Sequence, residues 1–247
     1  MSIIVAGVLL LAAAGPVADE VRVAVASNFA ETLKVIAERF ERDTGHKIIP
    51  ITGSTGKHYA QISNGAPFDA FFAADTARPA LLEQQGLTLP DSRFTYALGK
   101  LILWSPKADY VDSNGNILAD KSIRHLAIAN PKLAPYGRAA QQVLQARGAW
   151  RSFRGRLVRG ENIGQTFHFV KSGNVALGFV ARSQVSRPGH SIEGSWWDVP
   201  QSLYSPITQQ AVLLREGRAA RDFLAFMHSE ESRKTLHGFG YGTPDVE

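Results

Sequence analysis

Short β-branched runs alternate with amphipathic stretches along most of this chain, and that alternation restricts its fold more than any other feature. Residues 21–26 (VRVAVA) alternate as a strand does. From Asn28 the apolar Phe29, Leu33, Ile36, Ala37 and Phe40 recur at helical spacing up to Thr44-Gly45. Residues 47–51 predict a second strand, closed by a turn at Gly53-Ser54-Thr55-Gly56 and followed by a short helix at 59–63. A buried strand (69–74), a helix (78–85) and one long strand (95–105) come next. The pattern then repeats, with strands at 126–130, 156–159 and 175–181 and helices at 137–147 and 164–172. A polar stretch at 186–200, a last strand at 208–214 and helices at 219–228 and 231–236 complete it. Strands that alternate with helices in this way imply a mostly parallel sheet with crossover helices. Two runs of the pattern predict two α/β lobes, 19–98 with 205–247 and 99–204, with crossings near 95–105 and 203–208.

Composition excludes several classes. There is no cysteine, hence no disulfide framework, thiolate metal site or cysteine nucleophile. The net charge of +5 is spread along the chain and gives weak reason to expect nucleic acid. The apolar run at 3–14, then Gly15-Pro16 and small residues, is too short to cross a bilayer, which takes about 20 apolar residues. It predicts a secretory signal over 1–18 and an exported protein, although no Lys or Arg precedes the run.

Three segments put small polar residues where a strand gives way to a helix: Ser27-Asn28, Gly53-Ser54-Thr55-Gly56 and Glu161-Asn162-Ile163-Gly164. A helix start carries unpaired N–H donors and the positive end of the helix dipole, so it holds anions without Lys or Arg. Each segment alone reads as an ordinary N-cap; their joint occurrence at strand ends predicts one anion site in a cleft. Other motifs fail. Gly53-Ser54-Thr55-Gly56-Lys57 lacks the Gly at 51 and the Ser or Thr at 58 of a phosphate-binding loop, having Ile51 and His58 instead. Asp69 and Asp75 could pair as carboxylates, but Asp75-Thr76 reads better as a helix cap. The histidines show no metal-ligand spacing, and no nucleophile elbow occurs. Arg147, Arg151, Arg154, Arg156 and Arg159 around Trp150 and Phe153 read as a solvated face, and Trp196-Trp197 as packing. A hydrolase using Ser27 or Ser54 would need a base within reach, for which the donor loops offer only Glu161 and, just past the second loop, His58.

Ala26-Ser27-Asn28-Phe29, Gly53-Ser54-Thr55-Gly56 and the block Asn64-Gly65-Ala66-Pro67-Phe68-Asp69-Ala70-Phe71 resemble the molybdate-binding periplasmic proteins of ABC transporters. Ala134-Pro135-Tyr136-Gly137 and Leu177-Gly178-Phe179-Val180 continue the resemblance, which runs from about 20 to 245. It implies the type II periplasmic binding protein fold: two lobes, each a mixed, mostly parallel sheet flanked by helices, with the ligand between them. It also implies a binding protein rather than an enzyme: a periplasmic monomer that takes molybdate or tungstate, passes it to a membrane permease, and uses no cofactor and no nucleic acid. Molybdenum would enter only as the oxyanion. Sulfate or another tetrahedral oxyanion is the alternative. The implied donors are Ser27, Asn28, Thr55, the backbone N–H of Ile163 and one tyrosine hydroxyl, with Ser54 and Asn162 as secondary candidates. Some members take that tyrosine from the strand end occupied here by Ala181; this chain has Tyr136 instead, as another branch does, and its hydroxyl is expected to reach the cleft.

Overall fold

The computed structural model describes residues 18–242 and 244, so the expected signal at 1–18 falls outside it but for Ala18. The first stretch runs β1 (Glu20–Ala26), α1 (Ala30–Thr44), β2 (Lys47–Gly53), α2 (Thr55–Ser63), β3 (Ala70–Phe72), α3 (Ala77–Gln84) and β4 (Phe94–Gly99). The second runs β5 (Leu101–Ser105), β6 (Leu126–Ala129), α4 (Pro135–Ala146), α5 (Trp150–Phe153), β7 (Leu157–Gly160), α6 (Ile163–Lys171), β8 (Gly178–Ala181), α7 (Arg182–Val185) and β9 (Ser195–Asp198). The chain then returns through β10 (Ile207–Leu213), α8 (Arg218–Phe226) and α9 (Glu230–Gly238).

The strands form two sheets, ordered β2-β1-β3-β10-β4 and β7-β6-β8-β5-β9. Both are mixed: β1 runs parallel to β2 and β3, and β6 to β7 and β8, while β10 and β5 are antiparallel to their neighbours. The antiparallel share exceeds what strand–helix alternation alone predicts. It arises because β10 and β5 enter their sheets from the crossings rather than through a crossover helix. Helices cover both faces of each sheet. Val23 and Val25 of β1 pack with Phe29, Leu33 and Phe223, while Ala24 packs on the other face with Ile62 and Leu82. In the second sheet, Ile128 packs toward α4 (Val143, Leu144) and Ala127 toward α6 (Val170).

Two expectations need correction. The long strand at 95–105 is two strands broken at Lys100. The β4–β10 ladder ends with Gly99 opposite Ile207, and the β5–β8 ladder starts with Leu101 opposite Ala181, so the chain changes sheets there. The stretch at 186–200 contains β9, an edge strand on β5 that turns Trp197 into the core and Trp196 against the cluster around Trp104. Its polar flanks hide the alternation.

Candidate functional site

Register sets the site. In the parallel β1–β2 pair Ala26 lies opposite Gly53, which brings Ser27 beside Ser54 just past the strand ends. In the β6–β7 pair Ala129 lies opposite Gly160, so the loops leading to α4 and α6 also start side by side. The two sheets present these ends to each other. Gly164 N–H donates to Ser27 Oγ at 3.0 Å, Gly56 N–H to the Leu133 carbonyl at 2.9 Å, and Ser183 Oγ to the Asn28 carbonyl at 3.0 Å. The α2 start comes so close that a Cβ at Gly56 would sit 3.0 Å from the Leu133 oxygen. Ser27, Asn28, Ser54, Thr55, Tyr136 and Ile163 then enclose a cavity of about 10 Å³, with small or apolar residues such as Ala26, Ala74 and Pro135 filling the gaps. A space of that order holds about one water-sized body. It suits a compact inorganic ion better than an extended organic solute.

The hydrogen-bond accounting of the helix starts shows what faces this space. In α2, Gly56 N–H goes to Leu133, Lys57 N–H to Ser54 Oγ at 3.3 Å and His58 N–H to the Ser54 carbonyl at 3.0 Å, leaving the N–H of Thr55. In α6, Gly164 N–H goes to Ser27, Gln165 N–H to Asn162 Oδ1 at 2.9 Å and Thr166 N–H to the Asn162 carbonyl at 3.2 Å, leaving that of Ile163. At α1, Phe29 N–H takes the Ala26 carbonyl at 2.8 Å; of the N–H groups left there, that of Asn28 belongs to a residue bordering the cavity. Pro135 opens α4 and has no N–H, so the first donor there belongs to Tyr136. Two hydroxyls join these four. Ser27 Oγ already accepts from Gly164, and Thr55 Oγ1 accepts from Ala74 N–H at 3.0 Å, so each has its own proton left to donate. Among the described residues no ionised side chain borders the cavity. Lys57 reaches across the cleft to Glu161 at 3.0 Å, and neither borders it.

The candidate residues thus come together, but two contribute differently from expectation. The Tyr136 hydroxyl does not reach into the cleft space. It is directed at Gly99, where a Cβ would lie 2.3 Å from it, and Gly99 stands outside the cavity wall. Pro135 starts the helix two residues earlier than expected, so Tyr136 offers its backbone N–H and turns its ring into the core. Asn28 likewise sends its side chain backward, Nδ2 donating to Gln209 Oε1 at 2.7 Å and Tyr241 OH at 3.0 Å. Ser54 borders the cavity as the N-cap of α2; Asn162 caps α6 without bordering it. Burial raises the pKa of Tyr96, Tyr136 and Tyr241, the last to about 12, so these hydroxyls put no negative charge behind the site. The α4 start was missed as a donor; its signal is Pro135, a residue favoured at the first helical position.

The rival motifs are occupied elsewhere. His58 is buried with Nε2 3.2 Å from the Val25 carbonyl and Nδ1 3.1 Å from Gln61 Oε1, and Glu161 pairs with Lys57. Asp75 accepts from Arg78 N–H at 3.0 Å at the start of α3, and Asp69 from Arg22 N–H at 2.7 Å. Arg147 lies over the Trp197 ring and Arg156 over Phe153. A second recess, an open groove of about 640 Å³, adjoins the cavity and carries Glu31, Glu161, His168, Lys171 and Arg187.

The chain is similar along most of its length to known proteins. The profile of the bacterial extracellular solute-binding proteins matches residues 21–242. The molybdate-binding protein ModA of Azotobacter vinelandii is 48% identical over 243 residues, covering 97% of this chain and 96% of its own. The protein of the same name from Rhodobacter capsulatus is 44% identical, covering 97% and 93%. Among solved structures, the Azotobacter vinelandii periplasmic molybdate-binding protein superimposes with a TM-score of 0.89 at 41% identity, over 91% of this chain and 100% of that one.

Proposed function

We propose that this chain, which belongs to the bacterial extracellular solute-binding proteins and to the molybdate-binding proteins among them, captures molybdate or tungstate outside the cytoplasm and delivers it to an ABC-transporter permease. In this reading residues 1–18 direct export to the periplasm, and the units 19–98 with 205–247 and 99–204 close on the ligand. The observation that carries it is the set of four leftover helix-start N–H groups around a small cavity without charged residues. Each hydrogen bond to a charged group contributes roughly 1.5–3 kcal/mol, so about six aimed donors support tight binding after ordering costs.

Neutral donors also select. Molybdate is a dianion near neutral pH and asks only for donors. Hydrogen phosphate brings an O–H that needs an acceptor, and no carboxylate borders this cavity to take it. Sulfate matches in charge, so cavity size must separate the two. The test is thermal unfolding of the purified protein with molybdate, tungstate, sulfate, phosphate and vanadate. A ligand at ~1,000 times its Kd adds about 4 kcal/mol. Molybdate and tungstate are expected to give the large shifts; an equal or larger shift with sulfate or phosphate would overturn the assignment.

A further inference from the structure

Among the described residues, four buried side-chain atoms lack a hydrogen-bond partner: Asn28 Oδ1, Thr32 Oγ1, Tyr136 OH and Gln209 Nε2. Asn28, Tyr136 and Gln209 meet at one place, behind the cavity wall. Gln209 is wholly buried on β10, at the register shift where the β10–β4 ladder slips between Gln209 and Gln210. Such irregularities re-aim side chains next to binding sites. Its Oε1 accepts from Asn28 Nδ2 at 2.7 Å and lies 3.1 Å from Tyr96 OH. Its Nε2 crowds the same spot as the Tyr136 hydroxyl, since a Cβ on Gly99 would lie 3.0 Å from one and 2.3 Å from the other. One side chain therefore touches the back of the Asn28 donor from the first sheet and lies beside that of Tyr136 from the second.

A glutamine held this way is expensive. Its amide N–H lies against the Tyr136 hydroxyl, so its polar groups must be matched inside one buried network, a constraint that an apolar side chain of similar shape would not carry. We propose that Gln209 is a positioning residue for the anion: by tethering the Asn28 side chain it fixes the direction of the Asn28 backbone N–H. The inference rests on the proposed molybdate site and adds a residue that does not border it.

The test is calorimetric titration of molybdate into wild type, Gln209→Leu, Asn28→Ala and the double variant, with unfolding temperatures of the ligand-free proteins. Gln209→Leu and Asn28→Ala both break the Asn28–Gln209 tether and keep the Asn28 backbone N–H; Asn28→Ala also removes the bond to Tyr241. Each is expected to weaken binding about tenfold, and the double variant no further. Gln209→Leu also takes an acceptor from buried Asn28 and Tyr96, so it lowers the ligand-free unfolding temperature as well; the missing additivity of the double variant is what mere packing would not produce. Gln209→Glu keeps an oxygen for Asn28 and should regain wild-type affinity as pH falls and the buried carboxyl becomes neutral. An unchanged Kd for Gln209→Leu, losses that multiply in the double variant, or no recovery of Gln209→Glu in acid would overturn the proposal. A wild type that gives no heat with molybdate would instead overturn the function on which it rests.

Discussion

The cavity of about 10 Å³ and the groove of about 640 Å³ share Ser27 and Asn28 as a common wall, yet only the groove carries Lys171, Arg187, His168 and two glutamates. By size and charge the groove looks the better place for an anion. By hydrogen bonding it is not: Arg187 spends itself on the Ser183 and Ser186 carbonyls, and Lys171 lies over the Phe167 ring. The cavity has no cation, but four helix starts leave one N–H each beside it. Donors that are fixed, dry and neutral outdo mobile charges in water, because their orientation costs nothing when the ion arrives.

The contrast breaks most sharply at Ser27→Asp. A carboxylate about 4 Å from a dianion costs about 8 kcal/mol at an effective dielectric of 20, roughly a millionfold in affinity, so calorimetry should show no molybdate binding. Ile163→Pro is next. Proline is favoured at the first position of a helix, and Asn162 already has the extended backbone (φ −137°, ψ 172°) that a residue before proline requires. The variant deletes one donor N–H, and titration should show a loss of roughly ten- to a hundredfold, with Ile163→Val close to wild type. Tyr136→Phe and Lys57→Ala come last. Each should change the Kd by no more than about threefold, the first because the hydroxyl lies behind the wall, the second because an exposed ion pair contributes little. Tyr136→Phe should also change the stability of the ligand-free protein little, since the hydroxyl has only a poorly aligned contact with the Gln209 amide to lose.

His58 extends the contrast to pH. Burial, foremost, lowers its pKa below the ordinary 6.5, so folding favours the neutral ring under α2. Between that lowered value and 6.5 the unfolded chain binds more protons than the folded one. The stability is therefore complete above about 6.5 and lost as pH falls toward the lowered value. Unfolding temperatures measured from pH 8 to 5 should fall less for His58→Gln than for wild type.

The sequence shows the elements that position this site because their periodicity is strong: the β1–α1 pattern from Val21 to Phe40 reads directly, and so do the small polar turns at Ser27, Thr55 and Ile163. It does not show which atoms of a residue face the ligand. Tyr136 was expected to act through its hydroxyl because a tyrosine advertises its side chain, whereas direction depends on where Pro135 starts the helix and on the space that Gly99 leaves. Gln209 is only partly legible: strand alternation places it inward with Ile207, Ala211 and Leu213, but not what its amide meets there. The break at Lys100 stays hidden because strands on either side of it are equally apolar, and only their partners differ.

A crystal of the protein grown with molybdate, measured across the molybdenum absorption edge, tests the central claim most directly. The account predicts one anomalous peak, in the small cavity, within hydrogen-bond distance of the backbone nitrogens of Asn28, Thr55, Tyr136 and Ile163 and of the Ser27 and Thr55 hydroxyls, with no Lys or Arg touching the anion. A peak in the groove beside Lys171 and Arg187, with the cavity empty, would contradict it.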